Sequence, residues 1–223
     1  MITLHHLNNS RSQRILWLLE ELGVPYQIKR YQRDAKTMLA PPELRAVHPL
    51  GKSPVITDDG LTVAESGAIV EYLADRYGHG DLLAPHGTPE RLRQSYWLHY
   101  AEGSAMPPLL LKLVFQRVAR TPAPFFARPV ARSIATKVQA RFVDPQIALH
   151  LDYLEGELGA RGWFGGEEFS AADIQLSFPL EAAAARGGLS AQRHPRLVDF
   201  LARIHARPAY QRALAAGGDY RLG

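Results

Sequence analysis

Every stretch of this chain that reads as a β-strand lies before residue 80, and no strand signal follows Pro89. That asymmetry limits the fold more than any other feature. A sheet drawn only from the first third must be small, and everything after it must pack as helices. Ile2–His6 and Tyr26–Tyr31 read as strands on either side of a helix over Arg11–Leu22. In that helix Ile15, Leu18, Leu19 and Leu22 share a face, Ser10 or Ser12 can cap the start, and Gly23 is the stop. Pro41-Pro42 opens a short helical turn through Ala46, and His48-Pro49-Leu50-Gly51 is a loop. Pro54–Thr57 and Leu61–Ala64 make a hairpin around Asp58-Asp59-Gly60. A helix over Gly67–Tyr77 follows, with Ser66 as its cap. The order β-α-β-(α)-β-β-α is too short for a doubly wound sheet and suits a compact α/β unit.

Gly78-His79-Gly80-Asp81 through Pro85-His86-Gly87 interrupts the pattern as a linker. Beyond it, long helical stretches run from Glu90 to about Arg120 and from about Pro129 to Leu158. Shorter ones cover Ala171–Arg186, Pro195–Arg207 and Pro208–Ala216. Ser170 with Asp173 has the form of a capping box, with Phe169 and Ile174 as its hydrophobic staple. We therefore expect an α/β domain over residues 1–80 and an all-helical domain over 88–223.

Cysteine is absent from the 223 residues. A disulfide framework, a thiolate zinc site and a redox thiol carried by the chain are all excluded, so any sulfur chemistry must use a ligand's thiol. The nine histidines include one adjacent pair, His5-His6. Successive strand residues face opposite sides, so the pair cannot share a metal, and no metal is expected. The start of the chain lacks the pattern of a signal peptide, and Lys112 interrupts the most apolar run, Leu109–Phe115. A cytoplasmic protein without a membrane span is expected. A net charge of +4 with scattered arginines reads as a mildly basic surface rather than a nucleic-acid interface. Phe115, Phe125 and Phe126 read as core or lid residues.

The stretch Gly51–Ser66 is the most suggestive for function. A proline opening one strand and a capped helix closing the next leave exposed backbone groups at two places, where an extended, negatively charged peptide can be held.

Residues 3–77 resemble a known family. Leu4-His5-His6-Leu7-Asn8-Asn9-Ser10-Arg11-Ser12-Gln13-Arg14-Ile15 and the residues on to Gly23 look like the first strand and helix of a cytosolic glutathione transferase. His48-Pro49-Leu50-Gly51-Lys52-Ser53-Pro54-Val55-Ile56 and Ala64-Glu65-Ser66-Gly67-Ala68-Ile69 look like its glutathione-binding core. Ser170-Ala171-Ala172-Asp173 carries the likeness into the second half. Arg33-Asp34-Ala35, Ala40-Pro41-Pro42-Glu43-Leu44 and Glu102-Gly103-Ser104 with Pro107-Pro108 are similar to a serine-type-like branch found in fungi and bacteria.

The resemblance implies a thioredoxin-like N-terminal domain, an all-α C-terminal domain, a homodimer, and glutathione as co-substrate. It implies that Pro54 is cis, with the Ser53 backbone pairing with the cysteinyl part of glutathione. Glu65 and Ser66 would hold the γ-glutamyl end, and Lys52, with His48 as a second candidate, the glycyl carboxylate. Ser10 stands four residues before Arg14, the spacing of the thiol-activating serine in that branch. Asn8 and Asn9 depart from the usual proline and glycine, however, so Asn8, Arg11 and Ser12 stand as alternatives for the sulfur contact. A free thiol of pKa ~8.5 is only about 3% thiolate at pH 7, and lowering it by two units takes ~2.7 kcal/mol. An electrophile pocket is expected between the domains, with Tyr96, Tyr100, Gly103 and Pro107 on one helix face that Gly103 and Pro107-Pro108 bend. The activity implied is conjugation of glutathione to hydrophobic electrophiles in the service of detoxification, with glutathione-dependent peroxide reduction beside it. The alternative is a non-catalytic member of the fold that binds a protein partner.

Overall fold

The computed structural model describes residues 1–122, 124–159, 161–218 and 220–222. Its sheet has four strands: β1 (Ile2–Leu7), β2 (Tyr26–Tyr31), β3 (Val55–Asp58) and β4 (Leu61–Ala64), in the order β2-β1-β3-β4. β1 and β2 run parallel from Ile2 opposite Tyr26 to Leu7 opposite Tyr31, joined by helix α1 (Ser12–Leu22). β3 and β4 pair antiparallel around Asp59 and Gly60, both at positive φ as a two-residue primed turn requires. The hairpin strand begins at Val55 rather than at the expected Pro54, because proline has no N–H to give a ladder. Asp58 belongs to that strand and is buried, accepting bonds from Tyr72 (2.9 Å) and Tyr77 on the helix behind it, α3 (Ser66–Tyr77).

Two helix starts differ from expectation. Arg11 occupies the N-cap of α1 and Glu65 that of α3, neither with a side-chain cap, so Ser66 is the first residue of its helix and not its cap. Ser10 still serves the first turn of α1 from one residue upstream, its hydroxyl accepting the Ser12 N–H at 3.2 Å.

The rest is helical: α2 (Pro42–Val47) precedes the hairpin, and α4 (Pro89–Tyr100), α5 (Met106–Arg120), α6 (Arg128–Val138), α7 (Asp144–Gly159), α8 (Ala171–Ala182), α9 (Pro195–His205) and α10 (Pro208–Gly217) follow it. The two long stretches anticipated from periodicity are each continuous but pass through one wide, π-type turn, at Ala101–Ala105 and Gln139–Val143. Proline explains both. Pro107-Pro108 and Pro145 cannot donate to the carbonyls four residues back, and widening the turn re-pairs the backbone. Asp173 closes the expected capping box, taking the Ser170 N–H (2.8 Å) and hydroxyl (3.0 Å) and also the Phe164 N–H (2.9 Å). Burial pushes its carboxyl up to about 6 against those bonds.

One hydrophobic core runs through both halves, from Leu4, Leu16, Trp17 and Val70 to Trp97, Ile174 and Phe200. α1 lies at its centre, packed against α3, α8 and α10 as well as the sheet. Phe125 and Phe126 lie outside the core: they are exposed, their rings edge-on to each other at 5.6 Å. Among the described residues no helix is long and apolar enough to cross a membrane.

Candidate functional site

A cavity of about 270 Å³ opens where the carboxyl ends of β1 and β4 meet the wide turn between α4 and α5. His48, Leu50, Lys52, Ser53 and Pro54 form one wall, Ala64, Glu65 and Ser66 a second, and Arg11 with Glu102 the third. Of the residues singled out in the sequence, His48, Lys52, Ser53, Pro54, Glu65 and Ser66 are brought together here. Ser10 lies just behind the wall, and Tyr100 lies elsewhere.

The first wall is set by backbone. Gly51 turns the chain at φ +58°, and a Cβ there would stand 2.6 Å from Arg45 Cγ. The Ser53–Pro54 peptide is cis. Ser53 is tied to the end of β1, its hydroxyl donating to the His5 carbonyl (2.9 Å) and accepting the Leu7 N–H (3.3 Å). Its own main chain is thereby presented edge-on to the cavity. Lys52 is exposed at the rim, while His48 Nδ1 is buried without a partner.

The second wall is the β4–α3 junction. Glu65 holds φ +69°, a conformation that costs a non-glycine residue of order 1–3 kcal/mol and that gathers at ligand clamps. The strain turns the chain sharply into α3, whose first helical bond is Ile69 N–H to the Glu65 carbonyl (2.9 Å). The N–H groups of Ser66, Gly67 and Ala68 are therefore without helical partners, and the positive end of the helix dipole faces the cavity. The Ser66 hydroxyl is buried and accepts from Arg14 Nη2 at 3.1 Å.

In the third wall Arg11, an alternative for the sulfur contact, lines the cavity, while Glu102 and its pairing with Arg14 escaped the sequence reading. Arg14 lies 1% exposed inside the core face of α1, donating to the Gln175 carbonyl (2.5 Å), to Ser66 and to Glu102. Arg11 reaches the same carboxylate at 2.8 Å. Burial pushes the Glu102 carboxyl up, but Arg14 and then Arg11 outweigh it and hold it below its ordinary value. One signal pointed here: a buried arginine on an apolar helix demands a carboxylate. Nothing in the sequence named Glu102, because the wide turn places one extra residue per turn and rotates the helix face. Tyr100, expected at the electrophile pocket, is turned by that rotation toward α7, where its hydroxyl shares a hydrogen bond with His150 Nδ1 (2.5 Å) and its ring stacks on Tyr96 at 5.7 Å.

Behind these walls runs the β1–α1 loop. Asn9 sits at φ +48°, a left-handed conformation that asparagine tolerates, which is why glycine is not needed there. Asn8 is committed to Arg33, accepting its N–H (2.9 Å) and its Nε–H (3.2 Å). The Ser10 hydroxyl is 2.7 Å from that of Ser12 and 3.4 Å from that of Ser53. Arg33 and Arg186 each have their charged form disfavoured, first by burial and then by the positive charges of Arg11 and Arg117.

The residues match two family models, the glutathione S-transferase N-terminal domain over 1–75 and the glutathione S-transferase C-terminal domain over 125–208. The chain is 39% identical over 210 residues to glutathione S-transferase 3 of Schizosaccharomyces pombe, spanning 94% of this chain and 85% of that protein. Among solved structures, a glutathione S-transferase from Actinobacillus pleuropneumoniae matches with a TM-score of 0.78 at 33% identity, over 100% of this chain and 94% of that one. A sphingomonad glutathione S-transferase, solved in complex with glutathione, matches with a TM-score of 0.74 at 25% identity, over 97% and 98%. With both domain models in order along a sheet and helical array of this kind, the chain belongs to the glutathione S-transferase family.

Proposed function

We propose that the cavity binds glutathione and that the chain catalyses attack of its thiolate on an electrophile, with peroxide reduction as a second outlet for the same thiolate. The observation that carries this reading is the β4–α3 junction: a strained Glu65 beside the unpartnered N–H groups of α3, across the cavity from Lys52. An extended tripeptide with a carboxylate at each end meets a helix N-terminus at one end and a lysine at the other. In this reading Glu65 receives the α-amino group, Ser66 and the helix start the γ-glutamyl carboxylate, and Lys52 with His48 the glycyl carboxylate. The Ser53 main chain pairs with the cysteinyl unit as an added strand, which brings the sulfur toward Ser10. The relative solved with glutathione supports the choice of ligand. Glu102 keeps Arg14 on Ser66 and so holds the second wall in shape.

The electrophile enters past Arg11, which lines the cavity beside Glu102, and from the side where Arg33 and Arg186 feel the charges of Arg11 and Arg117. That field favours electrophiles whose leaving group or flank carries negative charge. A homodimer and a cytoplasmic place are part of the proposal, and they rest on the family alone. The test is retention on immobilised glutathione, followed by thiolate absorbance of the complex against pH. No retention defeats the whole reading, and retention with a thiol that titrates near 8.5 leaves binding without catalysis.

A further inference from the structure

The hairpin of α5 and α6 carries a surface that the fold itself does not use. The two helices pack on each other. Leu110, Val114 and Val118 lie at i, i+4 and i+8 on α5, so they form one stripe, and all three are exposed. Among the described residues of α6 only Ala135 is buried, and Val130 and Ile134, one turn apart, are 59% and 53% exposed. In the loop that joins the helices Phe125 and Phe126 are 83% and 69% exposed. Single apolar side chains are normal on a protein surface. A pair of phenylalanines at a loop tip, flanked by two apolar stripes, marks an interaction site.

The same segment is positive throughout. Between Glu102 and Asp144 the sequence holds no acidic residue. Asp144 neutralises Lys112 at 2.6 Å, but Arg117, Arg120, Arg128, Arg132, Lys137 and Arg141 are all exposed. Arg117 stands three residues after Val114, and Lys137 three after Ile134, so cations edge the apolar stripes rather than oppose them. This combination selects the occupant. A second copy of the same face would set these cations against one another. A nucleic acid would take the cations but offers its phosphates nothing to gain from Leu110, Val114, Val130 and Ile134. An anionic lipid surface takes both, its headgroups meeting the arginines and its acyl boundary the apolar side chains. We propose that the α5–α6 hairpin docks on an anionic membrane surface, with Phe125 and Phe126 entering the boundary between headgroups and acyl chains.

The backbone of the tip suits this role, because a segment that leaves water must satisfy its own polar groups. Pro122 and Pro124 have no N–H to bury. The Pro124 carbonyl accepts the Ala127 N–H (2.9 Å) and the Arg128 N–H (3.3 Å). At the end of α5 the Thr121 N–H donates to the Val118 carbonyl (3.4 Å) and its hydroxyl to the Arg117 carbonyl (2.8 Å). Interfacial helices sit about 5–10 Å into the headgroup region, and each basic residue near an anionic leaflet strengthens attachment about fivefold. The protein thus rests on the bilayer and does not cross it. α5 begins at the wide turn that carries Glu102, so the docked hairpin also holds the cavity near the phase in which apolar electrophiles collect. That consequence alone rests on the function proposed above, and the docking does not.

The experiment is flotation with vesicles of phosphatidylcholine, alone or mixed with phosphatidylserine, at low salt and at about 0.5 M. The unaltered protein is expected to float with phosphatidylserine vesicles at low salt, and to bind at least ~10-fold more weakly to neutral vesicles or in high salt. Arg132→Glu with Lys137→Glu is expected to weaken binding ~10-fold or more. Phe125→Ser with Phe126→Ser alters rings that lie outside the core, so circular dichroism and thermal unfolding should match the parent while binding falls ~10-fold. Phe126→Trp gives a second reading, in which the added emission shifts to the blue on phosphatidylserine vesicles and is quenched by brominated acyl chains. No flotation with phosphatidylserine at low salt overturns the proposal. Flotation that neither pair of substitutions weakens puts the lipid contact on another face and overturns it too. Binding to duplex DNA without binding to vesicles gives the face to nucleic acid. A dimer that Phe125→Ser with Phe126→Ser dissociates, again without vesicle binding, gives it to a second copy. Glutathione is absent from every arm, so failure of the cavity reading leaves these outcomes unchanged.

Discussion

The two long walls of the cavity are built on different physics. The wall from His48 to Ser66 is made by the backbone: a cis bond, a glycine turn, a strained Glu65 and the open start of α3. Each of these is decided within a few residues of sequence, and side chains such as Lys52 and Glu65 add charge at the rim. The opposite wall is made by side chains from distant segments, with Glu102 meeting Arg11 and Arg14 across 91 and 88 residues. A backbone wall tolerates substitution and loses a little affinity each time. A wall of paired buried charges fails as a unit, because removing one partner strands the other.

That contrast can be broken at five points. The largest effect is expected from Glu102→Gln, which leaves the Arg14 guanidinium in the core without its counter-charge. A loss of about 3 kcal/mol of stability in urea unfolding is expected, at the low end for a buried pair because Glu102 is partly exposed. The sign with pH follows from its carboxyl being held below the ordinary 4.5. The stabilisation is fully present above that value and is lost as the pH falls through the lower, folded one. The variant should therefore lack that part of the acid slope, and an unchanged slope would remove the pairing from the account.

Next comes Ser10→Ala. Restoring an unassisted thiol should lower the rate at pH 6.5 by up to a hundredfold, the equivalent of two pH units, while glutathione affinity changes less than twofold. If activity survives intact, another group activates the thiol. Ser66→Ala straddles the two walls, since its hydroxyl receives Arg14. A charge-assisted bond of about 1.5 kcal/mol corresponds to roughly tenfold weaker binding by calorimetry, and unaltered affinity would place the γ-glutamyl end elsewhere. Tyr100→Phe removes only the bond to His150 and should cost about 1 kcal/mol in thermal unfolding, without moving KM for the electrophile. A rise in that KM would return Tyr100 to the electrophile side. Lys52→Ala, at an exposed rim, should weaken binding two- to fivefold in low salt and by almost nothing in high salt. A large salt-independent loss would mean that this wall too is desolvated.

Legibility in the sequence followed the same division. Strands and helices were readable because their periods of two and 3.6 repeat within each element. The hairpin and the two helix starts were each missed by one residue, where a single proline or a strained Glu65 decides the boundary. Six of the eight residues chosen for the site line one cavity because they lie in two short stretches, His48–Ile56 and Ala64–Ile69, that carry their own geometry. Glu102 and the displacement of Tyr100 were not readable. Both come from a wide turn whose extra residue rotates everything upstream of Pro107, and periodicity written at 3.6 residues per turn cannot show it. The hydrogen bonds that link His6 Nδ1 to Ser12 (2.9 Å) and Ser12 to Ser10 (2.7 Å) were hidden for another reason. His5 and His6 were weighed as a metal pair, and the alternation that separates them is what aims His6 alone at α1, while His5 turns to Tyr31.

One contact across the β1–α1 loop concerns how the protein is made. The Arg221 N–H donates to Asn9 Oδ1 at 2.7 Å, across 212 residues, and Tyr220 is moored nearby on Glu181 at 2.6 Å. On a ribosome, which releases the chain from its amino end at about 5–20 residues per second, Asn9 emerges more than ten seconds before its partner. Through that interval the sheet and α1 can form, but the loop carrying Asn9 and Ser10 and the segment that ties it down are not yet together. The nascent protein has the outline of a binding cleft and lacks the finished loop beside it until Arg221 has been made.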